Sequence, residues 1–306
     1  MPDHDLDVLV IGGVGIDTIV RVPDLRIPAG DFCQVPPVVD YVAHSGNGVA
    51  LGFHALGLRT KFIDFLGDDA QGAQVLARYA AVGLDFSSLT APNGTPRSVN
   101  LVDTAGRRFS FYDGRHPADL RLPRDFYLPF LERAGHAHVA ASHAFEVFAD
   151  ARRLGITTST DIHAWDGVKP WPWTASRSAD LVFLSAEAAA DRIDELMRGI
   201  LAQGRASVVV ATEGAAGCRV LTRDDPVVRR FPIAVPERPV VDSNGAGDAF
   251  STAFMSRWLT GRPVPECVLA GAVSGAFACG AAGTHQELIT ARQLAAAVAR
   301  VVLADR

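Results

Sequence analysis

The stretch VVDSNGAGDAF, Val240 to Phe250, sets Asp242 and Asp248 on either side of Ser-Asn-Gly-Ala-Gly. Residues 246, 249, 250, 253, 254 and 258 are apolar at i, i+3, i+4 spacing and Gly261 supplies a stop, which predicts an amphipathic helix. Asn244 is a good N-cap type, so Gly245-Ala246-Gly247 becomes the first turn. Glycine costs a helix about 1 kcal/mol relative to alanine. In a first turn, however, it leaves free N–H groups that an anion can approach with no Cβ in the way. Asp248 then has two readings. As structure, an acid in the first turn contributes about 0.3–1 kcal/mol through the helix dipole. As chemistry, it repels the anion the glycines admit unless it takes a proton from an attacking hydroxyl. These residue types at this spacing point to phosphoryl transfer to an alcohol.

Such a helix needs a scaffold, and the chain supplies one. DVLVIGG (Asp7–Gly13) is a continuous apolar run closed by glycines, as in a buried parallel strand. Asp17 follows, and then a proline-rich segment to Val42 that suits edge strands and turns rather than a central sheet. A helix is expected over Gly48–Leu58, a strand at KFIDFLG, and a helix at DAQGAQVLARYAAVGL with a glycine C-cap. In that last segment Asp68 or Asp69 reads as an N-cap, a structural role. RSVNLVDTAGRRFSFYDG (Arg97–Gly114) reads as a hairpin turning at Thr104-Ala105-Gly106. Beyond it HAHVAAS, TTSTDIH, ADLVFLS and SVVVATEG alternate with helical segments. This alternation implies a mostly parallel central sheet with helices on both faces, plus a small β addition. GGVG is not read as a dinucleotide loop, because the third glycine is missing and proline-rich strands, not a helix, follow.

Composition narrows the class. At 306 residues, 48% hydrophobic and 21% charged, the chain is long enough for a deep core and is not disordered. A net charge of −5 gives no basic field for nucleic acid, and Arg229-Arg230 reads as a solvated strand end. The four cysteines are far apart, with no CxxC pair; Cys267 and Cys279 read as core. We see neither a signal peptide at the N-terminus nor an apolar stretch of roughly 18 residues. The expectation is a soluble cytoplasmic protein with no nucleic-acid or membrane partner.

DSNGAGDAF resembles, nearly residue for residue, the signature of the PfkB/ribokinase family of carbohydrate and nucleoside kinases, with Ser243 in place of the usual Thr. The resemblance implies a single ribokinase-like α/β domain over 1–306 with a β lid from about 18–42 and 97–117. It also implies an ATP-dependent kinase acting on a hydroxyl of a small sugar or sugar derivative. Asp248 would be the catalytic base and Gly245, Ala246 and Gly247 the anion hole. Asp17, after IGGVG, matches the family's substrate aspartate, and His116, just past the hairpin, is a lid contact for substrate. FLGDDAQG matches a further family element. Thr212, Gly214 and Gly217 of TEGAAGC would lie on the nucleotide phosphates. AGAVSGAFACGAAG, with Ala272 and Gly283, resembles the adenine-receiving helix and loop, though its small residues suit close core packing equally well. ATP and magnesium are the implied cofactors. Potassium is a further one in activated members, through Asp242 and Asn244. A homodimer through the lid is the implied assembly.

Three departures stand out. Gly48 occupies the position where the family's first signature has Asn, so Asn47 is expected to take over, with His44, Ser45 and Gly46 shaping the pocket. Glu187, the expected magnesium-organising acid, is displaced by one residue. His163 replaces an Asn after Asp161 and reads as a pocket-wall residue. Two alternatives follow. One is a nucleoside kinase, for which Phe109, Phe111 or Tyr112 would stack on the base if they are not hairpin core. The other is a sugar-binding regulatory protein with weak turnover.

Overall fold

In the computed structural model, which describes residues 4–26, 29–104 and 106–304, the first strand shows why its sequence is apolar throughout. Leu9 and Ile11 of β1 (Val8–Ile11) enter one core, while Val8 and Val10 enter another on the opposite face. The chain continues through β2 (Gly15–Arg21), β3 (Val39–Ala43), α1 (Ser45–Ala55), β4 (Thr60–Leu66) and α2 (Ala70–Val82). Next come β5 (Asp85–Thr90), β6 (Arg97–Val102), β7 (Arg108–Asp113), α3 (Arg124–Leu131), β8 (His136–Val139) and α4 (Glu146–Leu154). Then follow β9 (Thr157–Ala164), α5 (Pro170–Ser178), β10 (Leu181–Ser185), α6 (Ile193–Gln203) and β11 (Val208–Thr212). The described chain ends with β12 (Cys218–Thr222), β13 (Arg229–Phe231), α7 (Ala246–Trp258), α8 (Val264–Ala278) and α9 (Ala291–Ala304).

Nine strands form the main sheet in the order β13-β12-β11-β10-β9-β8-β1-β4-β5. It is parallel from β5 to β11 and antiparallel at β12 and β13. Helices α3 to α6 pack on the Leu9/Ile11 face, and α1, α2, α7 and α8 on the Val8/Val10 face. The expected α/β architecture is what forms, and Asp69 is indeed the N-cap of α2, accepting from the Gly72 N–H. The GGVG segment serves helix packing. Gly12 and Gly13 have φ of 79° and 87°, the Asn47 N–H bonds the Gly13 carbonyl, and a Cβ on Gly46 would overlap Gly12.

A separate four-stranded sheet, β3-β2-β6-β7, comes from the two segments expected to form the β addition. Its β6–β7 hairpin is antiparallel as expected, while Ala105 of the proposed turn lies outside the described residues. Register divides its residues between two faces. Tyr41, Asp17, Ser98 and Tyr112 form one rung of one face, and Arg21, Val102 and Arg108 lie along it. Val99, Phe111, Leu101 and Phe109 lie on the other face. Phe109 and Phe111 are more than half exposed, so the hairpin-core expectation for them does not hold. Cys267 is buried as expected, whereas Cys279 is only partly covered. Among the described residues no helix is long and apolar enough to cross a membrane.

Candidate active site

Helix α7 begins one residue later than the sequence suggested. Its N-cap is Gly245, at φ 77° and ψ 0°, a left-handed conformation that favours glycine. Asn244 instead receives Arg108 Nη1 on its Oδ1 at 2.7 Å. The Ala246 N–H is spent on the Ser243 carbonyl at 3.2 Å, so it is not available to an anion. Among the described residues the N–H groups of Gly245, Gly247 and Asp248 have no acceptor, as expected of a helix start. A Cβ built on Gly247 would meet nothing within 4 Å, so the space over this turn is open.

Asp248 is partly buried, and its Oδ2 accepts from His285 Nε2 at 2.8 Å. His285 is itself buried, with a left-handed φ of 58°. Its Nδ1 meets the Asn47 amide nitrogen at 3.0 Å, and the Asn47 oxygen accepts from the Tyr79 hydroxyl at 2.9 Å. Burial pushes the Tyr79 hydroxyl well above its usual range, so it stays protonated. Asn47 is wholly buried with its amide fully engaged, so it lies beneath the site instead of facing a substrate as anticipated. Gly48 has a clear reason to lack a side chain: a Cβ there would overlap the His285 ring.

The neighbouring residue of the same loop serves the other carboxylate. Thr284 Oγ1 donates to Asp17 Oδ2 at 3.3 Å, and His44 Nε2 stands 3.5 Å from Asp17 Oδ1 and 3.2 Å from Ser98 Oγ. His44 occupies φ 73° and ψ 159°, backbone space that costs a non-glycine residue about 1–3 kcal/mol. Burial holds its imidazole below the ordinary histidine range, with Asp17 opposing. The Tyr112 ring packs beside it, centroids 5.6 Å apart. His116 lies farther back, half-buried between His143 and Phe65, and burial lowers its basicity too.

The second sheet is docked on the α7 cap. Arg21 Nη2 bonds Asp242 Oδ2 at 2.8 Å, and the Tyr41 ring covers Gly283, where a Cβ would overlap it. Asp242 also accepts from the N–H groups of Asn244 and Gly283. The two side chains expected to hold a monovalent cation are therefore already occupied by arginine and backbone donors. Gly283, expected beside adenine, instead bonds Asp242 under Tyr41.

Two strands along the main sheet from β9, Thr212 ends β11 and Gly214 opens a 3-10 turn closed by Gly217. A Cβ on Gly217 would overlap the Phe231 carbonyl, so this glycine permits the approach of β13. Glu187 is exposed just past β10, its N–H bonded to Ser185 Oγ at 3.3 Å. Ala272 sits half-buried on α8, whose Gly271 and Gly275 let Phe250 and Ala246 of α7 come close. Packing thus explains the small residues of that helix. His138 of β8 is buried and Asp161 of β9 half-buried. Burial lowers the first to about 4 and raises the second, and the charge of Asp248 acts on both. His138 stands near the C-terminal end of β8 and Asp161 in the second half of β9, the end at which open α/β sheets bind ligands. His163, exposed at φ 54°, caps Asp161 through its own N–H.

Sequence reading missed His285, Thr284, Tyr79, Arg21 and Arg108. Their partners lie far away in the chain, and the one available signal was Gly48, a glycine where a side chain was expected.

The chain is similar to known proteins over most of its length. A family model, pfkB family carbohydrate kinase, matches residues 175–291. Acarbose 7(IV)-phosphotransferase of Actinoplanes sp. is 44% identical over 281 residues, covering 91% of this chain and 93% of that protein. The solved structure of a microbiome-derived acarbose kinase, also 44% identical, superposes with a TM-score of 0.89 over 96% of this chain and 99% of that one. A putative ribokinase from Agrobacterium tumefaciens, at 24% identity, shares the fold with a TM-score of 0.80 over 97% and 99%.

Proposed function

This chain belongs to the pfkB family of carbohydrate kinases, and on that footing we propose that it transfers the γ-phosphoryl group of ATP to a carbohydrate hydroxyl, with Asp248 as base. One observation carries the reading. A single helical turn holds the unpaired N–H groups of Gly245, Gly247 and Asp248 beside a carboxylate whose Oδ1 has no donor among the described residues. The acceptor O–H bond breaks toward Asp248 Oδ1 as its oxygen forms the new bond to phosphorus. The bond from phosphorus to the β–γ bridging oxygen breaks, and that oxygen leaves with ADP. The three N–H groups meet the charge on the phosphoryl oxygens; one such donor is worth about 10²–10³-fold in rate.

Asp17, set by Thr284 and His44, fits the role of hydroxyl acceptor for the substrate. Asn47 supports the Asp248 end through His285, Gly46 lets α1 pack on Gly12, and His116 lies against His143. Thr212, Gly214 and Gly217 flank the nucleotide end, and the docked second sheet acts as a lid that excludes water. Magnesium bound with the phosphates supplies charge neutralisation. Glu187 offers the exposed oxygen donor that such a hard ion accepts directly or through water. Potassium does not fit Asp242 and Asn244, and the Arg21 and Arg108 guanidinium groups supply fixed positive charge there instead.

Two relatives at 44% identity are named for acarbose, which makes acarbose the first acceptor to try. Tyr112, largely exposed on the inner face of the lid, suits stacking on a sugar ring. ADP release should be followed with ATP and a panel of acarbose, hexoses, pentoses and nucleosides. Turnover of a glycoside supports the reading, and preference for a nucleoside replaces it with the nucleoside-kinase alternative. Ligand-raised melting without turnover would make the chain a binding protein. The outer lid face, with Val99, Phe109 and Phe111 exposed, is the surface assigned to a second copy of the chain. Sedimentation of a Phe109→Ser, Phe111→Ser variant as a monomer would support that assignment; an unchanged oligomer would contradict it.

A further inference from the structure

Asp248 is the end of a hydrogen-bonded series whose direction follows from its atoms. Tyr79, kept protonated by burial, donates to Asn47 Oδ1 at 2.9 Å. The Asn47 nitrogen lies 3.2 Å from the Val42 carbonyl, which can only accept, and this fixes the orientation of the amide. Its second N–H therefore points at His285 Nδ1, 3.0 Å away, so that ring nitrogen must carry the lone pair. The ring proton sits on Nε2 and is donated to Asp248 Oδ2 at 2.8 Å. Every bond runs one way, from Tyr79 through Asn47 and His285 to the carboxylate.

The surroundings hold the ring in this place. Gly48 of α1 and Gly245 of the α7 cap lie on it so closely that a Cβ on either would overlap its atoms. The left-handed backbone of His285 carries a cost that a tightly fixed site can sustain. The side chain is 1% exposed. We infer that His285 is a positioning residue that locks the Asp248 carboxylate, capping Oδ2 and leaving Oδ1 to the acceptor hydroxyl; this rests on Asp248 being the base. Because Nε2 already carries a proton and Nδ1 faces an N–H, the imidazole does not take the substrate proton. That proton stays on Asp248 until product or solvent removes it.

Four variants and one spectrum test this. His285→Leu should lower kcat about 10–100-fold with KM for ATP and acceptor within about threefold, the cost of a poorly placed base. His285→Gln, which keeps an N–H directed at Asp248, should return most of the lost kcat. Gly48→Ala, whose methyl displaces the ring, should behave like His285→Leu. Nitrogen-15 histidine spectra of the wild-type chain should show the Nε2–H tautomer for His285. A folded His285→Leu with wild-type kcat, alongside an inactive Asp248→Asn, overturns the inference while leaving the base intact. Equal losses in the Leu and Gln variants, or an Nδ1–H tautomer, also overturn it. An active Asp248→Asn instead removes the premise.

Discussion

Replacing Gly247 with alanine should move stability and activity in opposite directions. The residue lies in the first turn of α7 without a positive φ, and the added Cβ would meet no atom within 4 Å. Alanine in place of an unstrained helical glycine stabilises by about 0.5–1 kcal/mol, partly by restricting the unfolded chain. At about 2 cal/mol/K of unfolding entropy per residue, a chain of 306 residues should gain only about 1–2 °C in Tm. The same methyl group projects into the space where phosphoryl oxygens would approach the bare N–H groups. Loss of one such contact should reduce kcat by about 10²–10³-fold. Differential scanning fluorimetry and steady-state ADP release would measure both. A variant that is stabilised and fully active would show that no phosphoryl group sits over this turn. A destabilised one would refute the reading of the space as empty. Gly245→Ala is the control, and it should destabilise, because φ is 77° and the Cβ would lie 2.6 Å from the His285 ring.

With Arg21 and Arg108 holding Asp242 and Asn244, kcat should be the same in potassium and in tetramethylammonium buffers. Stimulation of tenfold or more by potassium would contradict this. Arg21→Met should lower activity and weaken lid docking, as measured by faster ATP hydrolysis without acceptor; unchanged hydrolysis would argue against the latch. Burial lowers His136 to about 3 and His138 to about 4. Both are thus neutral when folded, whereas an unfolded histidine titrates near 6.5. Protons bind the unfolded chain first as pH falls, so this stability is complete above about pH 6.5 and lost as pH falls toward 4 and 3. His138 alone should account for about 2 kcal/mol lost by pH 5. Denaturant titrations should show a flatter pH dependence for His138→Gln, and an equally steep one would contradict the assignment.

Some of this was legible in the sequence for physical reasons. β1 read as a buried parallel strand because both of its faces are apolar. The α2 ends were readable because Asp69 and Gly83 are local signals that need no tertiary partner. The GAGD turn was recognisable since glycines that admit an anion conflict with an acid beside them unless that acid takes a proton. What stayed hidden depends on distant pairing. Asn244 looked like an N-cap, but an arginine 136 residues earlier engages its side chain, and Gly245 takes the cap. Gly283 looked like a nucleotide contact because its local glycine-rich setting does not reveal Tyr41 above it. His285 carried no local pattern, and its link to Asn47 spans 238 positions. Gly48 was the visible trace of it: a missing side chain records a ring that enters from elsewhere.

The central claim is that Asp248 takes the proton of the acceptor hydroxyl, and Asp248→Asn tests it most directly. The amide keeps the shape of the side chain and can still accept from His285 Nε2, while Ser251 and Thr252 bond only the backbone carbonyl of this residue. Fold and acceptor binding, followed by calorimetry, should therefore persist. We predict that kcat falls by about 10²–10⁴-fold with Kd for the acceptor within about threefold. Wild-type turnover in a folded, ligand-binding Asp248→Asn chain would contradict the account.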